Sequence, residues 1–204
     1  MANVDNGKKS MLKDAGILFA ITLIAGVILG FVYELTKEPI RLQEEKAVRE
    51  ACQTVFATAD AFEVLEYAVP EELERELSGN GIKPGTLYEA LGNGGNHLGY
   101  VLEITSTEGY GGSITLYVGV TQDGVLNGVS ILSISETPGL GMRAEEVLIP
   151  QFEGKEAGEF TYTKTGSTLD SEIDAISGAT ITTKAFVNAV NGALSVTEQL
   201  GQSE

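Results

Sequence analysis

The stretch SITLYVGVTQDGVLNGVSILSI, from Ser113 to Ile134, reads as a β-hairpin and decides the fold of the chain. Its two arms, Ser113 to Thr121 and Val125 to Ile134, are rich in β-branched and aromatic residues. Asp123-Gly124 lies between them, the dipeptide that supplies the positive φ of a tight hairpin turn. Upstream, Thr86 to Leu91 and Leu98 to Thr105 have the same composition and are set apart by glycine-containing turns. Short connections between successive strands leave no room for crossover helices, so the strands form an antiparallel meander.

Helical patterns flank this meander. After Pro39, the residues Val48, Ala51, Cys52, Val55, Phe56 and Ala59 recur at three- and four-residue spacing and make one apolar stripe. Cys52 sits on that stripe and reads as a small buried hydrophobe. The acidic run Glu71 to Glu76, then Ser78-Gly79-Asn80-Gly81, marks the end of the helical region. Downstream, a helix is predicted near Arg143 to Leu148, a short strand near Phe160 to Thr163, and a final helix from about Thr182 to Leu200. On that helix Ala185, Phe186, Ala189, Val190 and Leu194 share one face. The fold class is α+β.

Four segments follow: a polar tail over 1–14, an apolar span over 15–33, a helical connecting segment over 34–80 and a domain over 81–204. From Ala15 to Tyr33 no residue is charged. At about 1.5 Å per residue this length matches a bilayer core of roughly 30 Å. No A-x-A-like site closes the span, which favours a retained transmembrane helix over a cleaved signal peptide. Gly26 and Gly30 form a G-x-x-x-G pair, which lets a second helix approach closely, although glycine is also common in lipid-facing helices. Lys8, Lys9 and Lys13 before the span are nearly balanced by Lys37, Arg41 and Lys46 after it, so charge alone does not orient it.

The net charge is −16, which offers no basic surface to neutralise nucleic-acid phosphates. There is one cysteine, Cys52, and one histidine, His97. An internal disulfide, an iron–sulfur cluster and a cysteine-based zinc site are thereby excluded, and a lone histidine argues against a His-rich metal site or a Ser-His-Asp triad. No partner for His97 is suggested by spacing, and it is assigned no role. The chemistry must come from a cofactor or a partner.

Three loops could hold such a cofactor. In Asp174-Ala-Ile-Ser177-Gly178-Ala179-Thr180-Ile-Thr-Thr183, small residues directly precede a helix N-terminus. Free backbone N–H groups and the positive end of the helix dipole suit a phosphate there. The same residues would equally make an ordinary Ser/Thr N-cap, and spacing alone favours the cap. In Glu136-Thr137-Pro138-Gly139-Leu140-Gly141, the glycines let backbone approach a flat ring and Thr137 offers a hydroxyl. Gly139 to Ala144 also fits the G-x-G-x-x-A dinucleotide fingerprint, but a meander supplies no βαβ unit around it. Gly109-Tyr110-Gly111-Gly112 is the third loop; Tyr110 either lies near a bound ring or is an exposed aromatic at a hairpin tip.

Taken together, Ser177-Gly-Ala-Thr180-Ile-Thr182 ahead of Lys184 to Val190, Glu136 to Gly141, and Gly109 to Gly112 resemble the FMN-binding domain of the G subunits of Rnf-type electron-transport complexes. The C subunit of sodium-translocating NADH:quinone reductase is a relative of that family. The resemblance implies FMN joined covalently, through a phosphodiester bond, to Thr180, with Ser177, Gly178 and Ala179 around it. It implies a flavin transferase that uses FAD and magnesium, with Asp174 matching the acidic start of its recognition pattern. The Glu136 to Gly141 loop would border the flavin. The function implied is that of an electron-carrying subunit of an ion-translocating ferredoxin:NAD oxidoreductase, with other membrane subunits as partners and the FMN domain on the extracytoplasmic side. The chain alone would catalyse nothing. The C-type component of a quinone reductase, a membrane-tethered flavin-binding sensor, and a flavin-free scaffold are the alternatives.

Overall fold

The computed structural model describes residues 2–156 and 158–201. Met1 of the 1–14 tail, residues 202–204 of the 81–204 domain and the side chains of Lys8 and Lys9 lie outside the described residues. The chain separates into two compact units, residues 1–46 and residues 47–204.

The first unit is carried by helix α1, Ala2–Val55, which runs uninterrupted through Pro39. The helix is long and apolar enough to cross a membrane once. Its apolar side chains, Phe19, Val27 and Phe31 among them, are exposed. Thr22 and Thr36 turn their hydroxyls back onto the Leu18 and Val32 carbonyls at 3.0 and 2.9 Å. Neither therefore carries an unsatisfied donor into an apolar medium. A Cβ on Gly26 or Gly30 would meet nothing within 4 Å, so this face of the helix is open.

The second unit is built on a five-stranded antiparallel sheet in the order β1-β2-β3-β4-β5. The strands are β1 (Ala61–Leu65), β2 (Ile82–Leu91), β3 (His97–Ser106), β4 (Ile114–Thr121) and β5 (Leu126–Ser133). Strand order follows chain order, as the short turns require. The β4–β5 turn closes with Gly124 at φ +74° and the Thr121 N–H on the Val125 carbonyl at 2.9 Å. The Asp123-Gly124 signal is thus realised.

Both faces of β4 are buried. Leu116, Val118 and Val120 point to one cluster, and Tyr117 to the other. On the first face lies helix α4, Thr180–Gly201, burying Ala185, Phe186, Ala189, Val190 and Ala193. A Cβ on Gly192 would stand 2.9 Å from Ile82 Cγ2 and 3.0 Å from Leu77 Cδ2. Only a hydrogen at this position lets α4 sit so close to β2. On the second face, Cys52, Val55 and Phe56 at the end of α1 pack on a floor that includes Gly99 and Gly119. A Cβ on Gly119 would lie 2.8 Å from Val55 and 3.0 Å from the Phe56 ring. The helix end is closed by side-chain amides: Asn127 donates to the Val55 carbonyl, and Gln53 donates to those of Ala57 and Ala59.

Three features depart from the sequence reading. Within 34–80, read as helical, Ala61–Leu65 is instead edge strand β1, paired through Phe62 with Ala90. Five residues carry too little periodicity to be told from a helix end, and the exposed edge of β2 decides the matter. Helix α2, Glu71–Gly79, then follows Pro70, with Glu71, Glu72 and Glu74 in its first turn, where the dipole favours acid. Near the C-terminus, β6 (Thr161–Thr163) gains a parallel partner, β7 (Glu172–Asp174), too short to be legible. Finally, α4 starts at Thr180 and not at Thr182.

Cys52 has no exposed surface. Burial, with Glu103 nearby, pushes its thiol up to about 12, so the reactive thiolate is scarce. Phe56, 2% exposed, covers it on the same face. We expect the detergent-solubilised chain to resist maleimide at pH 8 until it unfolds. Phe56→Ala should cost about 3–5 kcal/mol, lower Tm by on the order of 10 °C and make alkylation fast, as followed by mass shift.

Candidate functional site

The site is assembled around one side chain, Glu136, which follows β5. It is 8% exposed, and its Oε1 accepts the Gly111 N–H at 3.3 Å. A Cβ on Gly109 would stand 2.8 Å from Oε1. A Cβ on Gly141 would stand 2.8 Å from Oε2 and 2.7 Å from Thr182 Oγ1. The Gly109–Gly112 turn, the Glu136–Gly141 loop and the first turn of α4 therefore meet at this carboxylate. The Gly111 approach is equally close: a Cβ there would fall 2.0 Å from the Ser135 carbonyl oxygen. Glycine is required because backbone packs directly on backbone.

Beyond Glu136 the loop turns sharply. Gly139 has φ +75°, and the Thr137 carbonyl accepts the N–H groups of Leu140 at 3.1 Å and Met142 at 3.3 Å. Leu140 then reaches across to the other motif, where a Cβ on Gly178 would meet its Cδ2 at 3.2 Å. Gly178 has φ +79°, a conformation that a side chain would strain. Leu140, Met142 and Ile181 are 40%, 44% and 53% exposed and give these loops an apolar surface. Tyr110 is 70% exposed at the tip of its turn.

The hydroxyls of the Ser177–Thr183 turn divide by role. Thr183 Oγ1 accepts the Ile176 N–H at 3.2 Å and donates to the Ala179 carbonyl at 2.9 Å. This buried side chain closes the turn, so among the Ser and Thr residues of the run it is Thr183 that is spent on backbone. Among the described residues, the hydroxyls of Ser177 and Thr180 make no hydrogen bond. Ser177 is exposed, Ala179 buried and Thr180 half-buried as the first residue of α4. The first-turn N–H groups of a helix have no carbonyl four residues earlier to bond. Thr180 thus presents a free hydroxyl beside free donors at the positive end of a 22-residue helix.

Asp174 is placed differently from the other motif residues. Its Oδ1 accepts the Ser167 N–H at 2.6 Å and its Oδ2 the Ser167 hydroxyl at 3.3 Å, tying the preceding loop to the end of β7. His97 Nδ1 lies 2.8 Å from Glu89 on the neighbouring strand, in a cross-strand pair away from the three loops. The dinucleotide fingerprint finds no support in the topology. Gly139–Ala144 follows an antiparallel edge strand and leads into a 3-10 turn, Gly141–Arg143, then the single turn α3, Ala144–Val147.

The three loops thus bring an apolar surface next to the first turn of α4. Residues 109–195 match the family described as FMN-binding domain, and residues 1–55 match the RnfG N-terminal region. The chain is 33% identical over 198 residues to the G subunit of the Na(+)-translocating ferredoxin:NAD(+) oxidoreductase complex of Acetobacterium woodii, covering 95% of each. It is 34% identical over 191 residues to the G subunit of the proton-translocating complex of Clostridium ljungdahlii, covering 89% of this chain and 92% of that one. The crystal structure of Shewanella oneidensis NqrC superposes with a TM-score of 0.52 at 15% identity, over 79% of this chain and 100% of that one, which shows a shared fold. The chain carries an FMN-binding domain behind an apolar N-terminal helix. It belongs to the RnfG family, the G subunits of ion-translocating oxidoreductase complexes.

Sequence reasoning missed the roles of Thr183 and Thr182. Both lie in the quoted Thr180-Ile-Thr-Thr183 run, but which hydroxyl turns inward depends on where α4 begins. Gly141→Val should separate the loop from the helix. It would drive side-chain atoms into Glu136 and Thr182, at about 1–3 kcal/mol for overpacking. We expect faster tryptic cleavage after Arg143 and lower FMN content, measured by limited trypsin digestion and flavin absorbance.

Proposed function

We propose that the chain is the electron-carrying flavoprotein subunit of a membrane-bound, ion-translocating ferredoxin:NAD oxidoreductase complex, with FMN attached to Thr180 through a phosphodiester. The observation that carries this reading is the free Thr180 hydroxyl on the first residue of α4. The neighbouring Thr183 takes the capping bonds that would otherwise occupy such a group. Gly178, with no side chain, leaves the approach to Thr180 open, and the helix start favours the anionic ester. Leu140, Met142 and Ile181 offer apolar contact to a ring, and Gly139 lets backbone lie against it.

Attachment by a transferase that uses FAD balances as a phosphoryl transfer. Thr180 Oγ1 gains the bond to the flavin-side phosphorus, the phosphoanhydride breaks, AMP leaves, and the hydroxyl proton is released. Asp174 would help to present the segment to that enzyme through the loop it holds at Ser167. Once bound, FMN supplies one- and two-electron chemistry; the protein supplies position and environment. A covalent tether makes retention independent of the free flavin pool, which matters for a domain outside the cytoplasm. We place residues 47–204 on that extracytoplasmic side and the N-terminal tail inside, with α1 as the single span packed among the other membrane subunits.

We expect Thr180→Ala to abolish flavin fluorescence of the denatured gel band while the protein stays in the membrane. Thr180→Ser should retain part of it. Fragmentation of the tryptic peptide ending at Lys184 should place the adduct on Thr180; an adduct on Ser177, Thr182 or Thr183 would overturn the assignment.

Topology has its own test. Protease added to right-side-out vesicles should digest residues 47–204, and complete protection of that region would reverse the orientation.

A further inference from the structure

Gln151 ends the 3-10 turn Ile149–Gln151 that follows α3, and its side-chain amide is wholly engaged with main chain. Oε1 accepts the Asp174 N–H at 2.7 Å, and Nε2 donates to the Asp174 carbonyl at 3.2 Å. Nε2 also donates to the Val147 carbonyl at 2.6 Å. Both N–H donors of the amide and its oxygen are therefore used. Bonding the N–H and the C=O of one residue copies the pairing that a neighbouring strand would make. Gln151 thus extends β7 sideways at a position where, among the described residues, no further strand pairs with it.

These bonds matter because of what they join. Val147 closes the helix that begins just past the Glu136–Gly141 loop, and Asp174 opens the Asp174–Thr180 segment. Among the described residues, the two bonds to Asp174 are the only hydrogen bonds between residues 136–152 and residues 172–183. The other close approaches, Leu140 over Gly178 and Gly141 against Thr182, are van der Waals contacts. Such contacts are non-directional and permit sliding; the amide sets the register.

The geometry points to Gln151 as a positioning residue that holds the Glu136–Gly141 loop in register with the Thr180 turn, so that a flavin esterified at Thr180 keeps its ring against the loop. This inference rests on the function proposed above. A second amide provides an internal control. Asn191 Oδ1 accepts the Phe160 N–H at 2.9 Å and its Nδ2 donates to the Phe160 carbonyl at 2.8 Å. That pair is alike in chemistry, but it ties α4 to the approach to β6 and does not bridge the two loops.

The test uses the full chain in detergent, with Gln151→Leu and Asn191→Leu compared in two backgrounds. In the flavin-free Thr180→Ala background, Gln151→Leu should speed backbone hydrogen exchange at Leu140–Met142 and Asp174–Ile176 by roughly tenfold, the upper end for one lost neutral hydrogen bond. Asn191→Leu should leave Leu140–Met142 unchanged. In the Thr180 background, Gln151→Leu should keep its covalent flavin on a denaturing gel. The fluorescence anisotropy of that flavin should fall toward the value on the denatured chain, whereas Asn191→Leu should retain it. If Gln151→Leu does not fold, Gln151→Glu keeps the acceptor for the Asp174 N–H, loses both donors and should shift each readout in the same direction. Unchanged exchange at Leu140–Met142, equal changes in both variants, or lost loading without faster exchange would overturn the positioning role. Absence of covalent flavin from the wild type would instead sink the attachment at Thr180, and the exchange measurement would still decide the tie.

Discussion

Everything at the candidate site hangs on the seating of α4 against the sheet. Ala185, Phe186, Ala189, Val190 and Ala193 are fully buried there. Each large apolar side chain so buried contributes about 1.5–3 kcal/mol against an exposed reference. Gly192 is the point of closest approach, where Ile82, Leu77 and Ile104 press onto the helix backbone. A helix is stiff and rises about 1.5 Å per residue. Clamping Gly192 therefore fixes Thr180, about 18 Å away at the other end, without any contact of its own. The first turn is delivered to a set place, and its free donors come with it.

The opposite face of the sheet obeys the same logic with different residues. There the sheet supplies glycines and the helix supplies bulk, since Val55 and Phe56 fill the space above Gly99 and Gly119. A sheet covered on both faces presents only its edges and loops to a ligand. The edge next to β5 is where Glu136 turns inward and the three glycine-rich loops gather. A buried carboxylate accepting a backbone N–H is a directional anchor, and glycines on either side let the loops close on it without steric conflict.

The Ser177–Thr183 turn shows how one residue's hydrogen bonds leave another's side chain unspent. Thr183 reaches back to bond both Ile176 and Ala179. With the turn closed from inside, the Thr180 hydroxyl makes no hydrogen bond among the described residues. Gln151 and Asn191 repeat the theme farther out, since side-chain amides replace strand partners for β6 and β7, which are only three residues long.

Much was legible in the residues themselves. The alternating β-branched runs and Asp123-Gly124 determine an antiparallel meander, because period-two burial and a positive-φ turn are local properties. The uncharged run from Ala15 to Tyr33 determines an apolar helix, and the Ser177 to Thr182 and Glu136 to Gly141 motifs mark the loops. Strand β1 was not legible, because Ala61–Leu65 becomes a strand only when the edge of β2 offers it partners. Nor was the gathering of three loops on Glu136, which joins residues as far apart in the chain as Gly109 and Thr182. Which threonine is spent on backbone was likewise decided by tertiary packing: the seat of α4 sets where the helix begins, and the helix start places Thr183 to bond back to Ile176 and Ala179.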